Sequence, residues 1–266
     1  MFLTIITDCK DDNARVRQEA RYATLFPDTN ISFIGVSSDI EAAGNLIDVL
    51  DAVGDEKGLI TLNVAPRHGK AKKWPNGTPF GYFRYKNTTV VCTIDGCALS
   101  LAKKFGFIES LQVTDIRNVL ESEGFEKADI EFIASSQFRS FDYLPRLAKI
   151  VYEKGSVPSE EMSIDEIPDC PKGVWWIDSF GNCKTTLLPE DVDFKEGAKR
   201  EIALGEQTIA AVCYGQLRSV PDHTTALIRG SSGYGDKRFL ELIVQGGSAA
   251  KAYDITLKDG FEVYHL

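Results

Sequence analysis

FLTIITDCKDDNARVRQEARYATLFPDTNISFIGV, residues 2–36, decides how the first half of the chain folds. Its first six residues are an unbroken apolar and β-branched run, the pattern of a buried strand. The run then meets Asp8, Cys9, Lys10, Asp11 and Asp12, so the strand ends in an acidic loop. Residues 13–25 read as a helix with Val16, Ala20 and Ala23 on one face, and residues 30–36 as the next strand.

The same rhythm carries on. Asp39 caps a helix in which Ile40, Ala43, Ile47 and Leu50 repeat at helical spacing. Residues 58–64 give a third strand, and the alternation continues through residues 88–93, 98–105 and 132–135 to a helix over 143–154. Such alternation predicts an α/β domain over residues 1–155, with a central, largely parallel sheet covered by helices. SVPSEEMSIDEIPDCP, residues 156–171, carries three prolines and an acidic bias, and residues 156–172 read as a connection. Beyond it, residues 173–177, 207–214, 224–228, 239–244 and 261–264 are short strand-like segments between Gly, Asp and Ser turns. Residues 173–266 are therefore expected to form a smaller all-β domain, barrel-like or a sandwich.

Composition narrows the classes. The chain has 266 residues, enough for a core without disulfide or metal staples. Its six cysteines form no CxxC pair and only three histidines accompany them, so no structural zinc site is expected. A net charge of −9 argues against a nucleic-acid partner. RHGKAKK, residues 67–73, is a local exception that reads as a solvated loop or an anion site. No apolar run approaches the roughly 20 residues that span a bilayer. MFLTIITD lacks the basic start of a signal peptide, and the expected location is cytoplasmic, with no membrane partner.

Chemistry concentrates in WIDSFGNCKTTL, residues 176–187. Asp178 can bind a cation or an amino group, Phe180 can face a flat ring, and Asn182 can both donate and accept hydrogen bonds. Gly181 lets the backbone bend and approach a ligand. The competing reading is a β-turn in which Asp178 makes an Asx-type corner. Asp8 ends the first strand, where open α/β sheets bind ligands, and can chelate a ribose diol or a metal. Asp11 and Asp12 either join it around a divalent ion, as in a metal-dependent hydrolase, or cap the next helix. GSSGYG, residues 230–235, fits neither GxGxxG nor GxxxxGK, and reads as a hairpin turn before it reads as a phosphate loop.

Taken together, TD at Thr7 and Asp8, SSDIEAAGNLI at 37–47, IDSFGNCKTTL, SSGY at 231–234 and FLELIVQGGSAA at 239–250 resemble the S-adenosylmethionine hydroxide adenosyltransferases and the related chlorinases and fluorinases. The resemblance implies an α/β domain joined to a β-barrel, assembled as a homotrimer with S-adenosylmethionine between one subunit's first domain and its neighbour's second. It implies attack on C5′ of the ribose with loss of methionine, and no cofactor beyond this substrate. Asp8 would hold the ribose hydroxyls, Asp178 the methionine amino group and Ser231 its carboxylate, while Phe180, Asn182 and Tyr214 would face the adenine. The water-activating positions of hydroxide-forming members fall on Ala65, near Lys72 and near Lys149, so their usual triad is missing here. His68 is a candidate replacement base, and Ser140 stands where the fluoride-using relatives have a halide-binding serine. The chemistry implied is adenosine and methionine from water, or a 5′-halo product from a halide; a protein that binds without turnover is the remaining alternative.

Overall fold

A computed structural model describes residues 1–64, 77–205, 207–257 and 259–265. It divides into two compact units, one of Met1–Leu46 with Val53–Asp169, the other of Ile47–Ala52 with Cys170–Leu266. The fold is mixed α/β, with a seven-stranded sheet in each unit.

In chain order the first unit holds β1 (Phe2–Thr7), α1 (Asp12–Leu25), β2 (Asn30–Gly35), the start of α2 (Asp39–Val53), β3 (Gly58–Asn63), β4 (Phe80–Tyr85), β5 (Thr88–Thr93) and α3 (Ser100–Lys104). It continues with β6 (Leu111–Thr114), α4 (Ile116–Ser122), α5 (Lys127–Ala134), α6 (Arg139–Asp142), α7 (Leu144–Lys154) and β7 (Glu160–Met162). The strand order is β2-β1-β3-β5-β4-β6-β7. Pairings β1–β2, β1–β3 and β3–β5 are parallel, whereas β4–β5, β4–β6 and β6–β7 are antiparallel. The sheet is thus parallel on one side and antiparallel on the other, instead of largely parallel as its first strands lead one to expect. The cause is the β4–β5 hairpin, which turns through Lys86 and Asn87 and starts an antiparallel run.

Local chemistry fixes the helices. Asp11 caps α1 by accepting the Ala14 N–H at 3.0 Å. Ser38 and Glu41 start α2 reciprocally: the Ser38 hydroxyl accepts the Glu41 N–H, and the buried Glu41 carboxylate accepts that of Ser37 at 2.6 Å. Helix α7 starts with Pro145 in its first turn and stops at Gly155, whose φ of +90° suits the chain's exit. Its Leu144, Leu147, Ala148 and Val151 pack with Leu3, Ile5 and Leu59 of the sheet.

Three further expectations change. Helix α1 buries Ala14, Gln18 and Tyr22, whereas Val16 is 56% exposed and Ala20 and Ala23 face solvent. The large Tyr22 ring and the hydrogen-bonded Gln18 amide outweigh two alanines in choosing the face. Residues 132–135 fall at the end of α5, whose Ile130 and Ile133 keep helical spacing, and form no strand. Within the expected connection, β7 pairs with β6, Val157 and Ile167 are buried, and Lys103 Nζ donates to the Ile167 carbonyl at 2.8 Å.

The second unit holds β8 (Val174–Ile177), β9 (Cys183–Thr185), β10 (Lys199–Leu204), β11 (Gln207–Tyr214), β12 (Thr225–Tyr234), β13 (Lys237–Val244), α8 (Ala249–Ala252) and β14 (Glu262–His265). Its order is β14-β10-β11-β12-β13-β9-β8, antiparallel except for β11–β12. A bridge between Gly173 and Gly260 draws the two edges of this sheet together, so it curls into a half-barrel around Leu227, Leu240, Leu242 and Phe261. GSSGYG lies along β12 and its turn into β13, with a register shift between Arg229 and Gly233, in keeping with the hairpin reading. Among the described residues, no helix is long and apolar enough to cross a membrane.

The corrected face of α1 and the buried face of α7 make a paired stability test. Leu147→Ala, at a fully buried position, is expected to cost about 2–5 kcal/mol, whereas Val16→Ala stays within about 0.5 kcal/mol. Urea unfolding of the two variants checks both values.

Candidate functional site

Strands β1, β3 and β5 run parallel and end together. The Asp8 N–H continues the ladder by donating to the Asn63 carbonyl at 3.1 Å. The Thr7 hydroxyl oxygen accepts from Asn63 Nδ2 at 3.2 Å and from the Cys9 N–H at 3.1 Å, tying the acidic loop to its neighbour strand. Gln18, buried under the loop, donates to the Cys9 carbonyl at 3.2 Å. Thr93 Oγ1 donates to the Val64 carbonyl at 2.8 Å and accepts the Val64 N–H at 3.1 Å.

At this edge a cavity of about 310 Å³ opens, lined by Asp8, Asn63, Thr93, Phe138, Arg139 and Ser140 among others. The fold thus brings Asp8 and Ser140 to the lining of one cavity, although 132 positions separate them in the chain. Ser140 is only 6% exposed, and its hydroxyl makes no hydrogen bond to the described protein, which leaves it open to a ligand. Arg139 lies over the Phe80 ring at 5.6 Å, and its burial pulls the guanidinium pKa below its ordinary value. A carboxylate, an unengaged hydroxyl, a guanidinium and an aromatic face together suit a small polar molecule with a flat or ring-shaped part. Asn63, Thr93 and Arg139 were not marked by the sequence; each of the first two ends a β-branched run that gives no sign of facing a cavity.

The remaining first-unit candidates fare differently. Asp11 is occupied as the α1 cap and Asp12 is exposed in the first turn of that helix. No group of three or more His, Cys, Asp or Glu side chains stands ready to hold a metal ion among the described residues. Lys149 pairs with Glu153 at 2.6 Å along α7 and lies over the Phe26 ring. His68, Ala65 and Lys72 lie outside the described residues.

In the second unit, Asp178 builds its own turn. One carboxylate oxygen accepts the N–H groups of Phe180 and Asn182, both at 2.9 Å, and the other accepts Asn182 Nδ2 at 2.9 Å. This is the Asx-type corner that the residue types allow. The turn leaves Phe180 76% exposed. Gly181 has φ +86° and offers its carbonyl to the Ala250 N–H at 3.0 Å; a Cβ there would sit 1.9 Å from Ser248 Oγ. The IDSFGN turn and the GGSAA turn are therefore one packed corner. Burial, with Asp178 and Asp259 nearby, pushes the Cys183 thiol up to about 12, which makes it a packing residue and no nucleophile.

Next to this corner, Lys184 Nζ donates to Ser232 Oγ, and β13 places Glu241 directly across from Lys184. The Ser231 N–H donates to Glu241 Oε1 at 3.2 Å, so Ser231 joins the same neighbourhood through its backbone. Asp48 accepts the Gly233 N–H at 2.9 Å. Burial, the leading cause, raises the pKa of both Asp48 and Glu241 despite Lys184. Tyr214 packs on Val220, Ala226, Ile228 and Ile243 at the end of β11.

The raised Glu241 pKa has a definite sign. Above the ordinary Glu value of about 4.3, the unfolded chain has released a proton that the native state still holds. Stability is therefore lost as pH rises from there through the raised value. Glu241→Gln should remove that loss, so its stability relative to the parent grows across the interval and then levels off, as urea unfolding from about pH 4 to pH 8 would read. Gly181→Ala, strained in φ and against Ser248, is expected to cost at least about 1–3 kcal/mol in the same assay.

No family model and no curated protein matches the chain. Solved structures do: an uncharacterized conserved protein from Thermotoga maritima aligns over 98% of this chain and 100% of its own, with TM-score 0.67 and 15% identity. A conserved hypothetical protein from Thermus thermophilus aligns over 99% of each chain, with TM-score 0.63 and 18% identity. At these identities the likeness is one of fold, and it extends across both units.

Proposed function

We propose that the protein cleaves S-adenosylmethionine at C5′ of the ribose, with water as the nucleophile and adenosine and methionine as products. The observation that carries the reading is the cavity at the carboxyl ends of β1, β3 and β5, lined by both Asp8 and Ser140, whose hydroxyl is unengaged among the described residues. In this reading Asp8 chelates the ribose hydroxyls, and Ser140 hydrogen-bonds the attacking group. Asp178 takes the methionine amino group, a role favoured by a neighbourhood in which Asp48, Asp178 and Glu241 outnumber Lys184. Ser231 meets the carboxylate, and Phe180, Asn182 and Tyr214 face the adenine. The curled second sheet then corresponds to the barrel-like domain of the adenosyltransferases, and the active form is a cytoplasmic homotrimer with each site between one copy's first unit and its neighbour's second.

The physics suits the reaction. A sulfonium leaving group loses its charge as the C5′–S bond breaks, so attack by an anion annihilates charge. A dry site that desolvates the nucleophile lowers that barrier, and holding it in line behind C5′ supplies much of the rest. With Lys149 in an ion pair along α7, the base for water is sought in His68. Ser140 also favours a second version in which a halide replaces water, because a buried hydroxyl with no partner among the described residues can donate to it.

Incubation with S-adenosylmethionine, with and without chloride or fluoride, separates the versions. Adenosine plus methionine in every buffer supports hydrolysis, and a 5′-halo product lost in Ser140→Ala supports the halide version. Asp8→Ala is expected to weaken substrate binding about 10–100-fold, the worth of hydrogen bonds to a charged group. Equal affinity in parent and variant would remove Asp8 from the site.

A further inference from the structure

Two guanidinium groups of α1, those of Arg17 and Arg21, lie over the Phe141 ring, and a third, Arg146 of α7, is hydrogen-bonded at the next residue. Arg17 Cζ lies 4.9 Å from the Phe138 ring centroid and 4.6 Å from that of Phe141, and Arg21 Cζ lies 4.4 Å from Phe141. The rings themselves stack at 5.6 Å. Arg146 Nη1 donates to the Asp142 carbonyl, and Arg146 is close enough to Arg21 for their repulsion, after burial, to pull its pKa below the ordinary value. None of the three arginines makes an ion pair among the described residues. Asp142 and Asp129 act on Arg146 at longer range only, and the Asp142 carboxylate is already engaged by the Ser136 hydroxyl.

Ring stacking engages the faces of Arg17 and Arg21, and the Asp142 carbonyl takes one donor of Arg146, but this leaves all three charges without a counter-ion among the described residues. Such contacts do not explain three unpaired cations in one neighbourhood of a chain of net charge −9 that has carboxylates to spare. Guanidinium forks present paired N–H donors that match the oxygens of a tetrahedral oxyanion, and several around one anion relieve the repulsion between them.

We propose that Arg17, Arg21 and Arg146 form a binding site for a phosphate-type dianion, either free phosphate or the phosphoryl group of a small molecule. The site grips both ends of α6. Phe138, under Arg17, precedes the helix and lines the Asp8 cavity, while the Asp142 carbonyl, held by Arg146, lies at its end. Helix α6 carries Arg139 and Ser140, so an anion bound here steadies the wall of the cavity.

Calorimetric titration of the full chain with inorganic phosphate, and separately with glycerol phosphate, tests this at ionic strength matched with chloride. The expected result is saturable binding and a higher melting temperature in phosphate than in chloride. Arg21→Gln and Arg146→Gln should each weaken binding at least about tenfold, and Arg21→Lys, which keeps the charge and loses the fork, should fall between. Tighter binding of glycerol phosphate identifies a phosphorylated small molecule, and equal or tighter binding of inorganic phosphate identifies the free anion. Absence of saturable heat from both anions would overturn the proposal. So would variants that bind as the parent does, or that lose the same stability in phosphate and in chloride, since that is the signature of ring stacking alone. No turnover enters the readout, so failure here is separate from failure of the adenosyl reading.

Discussion

Everything at the first unit's cavity rests on the register of β1 between β2 and β3. Leu3, Ile5 and Thr7 stand beside Leu59, Thr61 and Asn63, and Val91 and Thr93 extend the same face on β5. These columns begin apolar, under Tyr22 and Leu147, and end polar at the carboxyl edge. A slip of one residue would turn Leu3 and Ile5 out of the core and carry Thr7 and Asn63 to the opposite face. Hydrophobic packing at one end of the strands thereby fixes the place of Asp8, Asn63 and Thr93 at the other. Helix α1 closes the arrangement: Tyr22 anchors it in the core, and Gln18, one turn earlier, hydrogen-bonds the loop that follows Asp8.

The second unit is governed by charge inside a curled sheet. Gly230 has no Cβ to fill the space taken by the Glu241 carboxylate, which would lie 2.2 Å from such an atom. Glu241 is thus drawn under the Ser231 backbone and away from water. A buried acid in that position is costly when ionised, and Lys184 offsets only part of the cost, as the raised pKa of both Glu241 and Asp48 records. A positively charged group arriving nearby would favour the ionised forms, which is the physical content of assigning an amino group to Asp178.

Much of this could be read from residue types, and the limits have physical causes. Asp8 drew notice because it directly follows a buried strand, and the fold sets it in the lining of a cavity at that strand's end. The hairpin at 230–235 was legible from its glycines. Ser140 drew notice only through the resemblance, since a serine in FRSFD looks like any loop serine until the fold sets it against Asp8. Strand β4 escaped because FGYFRY carries a glycine, and Gly81 is needed there to let Gln112 and Ile94 approach. Strand β7 escaped because Glu160 and Glu161 look like linker residues; on a sheet edge they point outward and cost nothing. The face of α1 was misjudged by counting alanines, whose small area decides little beside one tyrosine.

Net charge and local charge answer different questions. A value of −9 describes the field far from the protein and bears on solubility and on encounter with polyanions. At physiological ionic strength that field decays over about 8 Å, so a ligand already at the surface responds to the side chains beside it. Arg17 and Arg21 lie within such a distance of the Phe141 ring, and Arg146 is bonded to the carbonyl of the next residue. A net negative charge is therefore compatible with a local site for a compact dianion. The average weighs most on extended partners, whose many charges sample the whole surface, and leaves small ones to be decided by side-chain geometry.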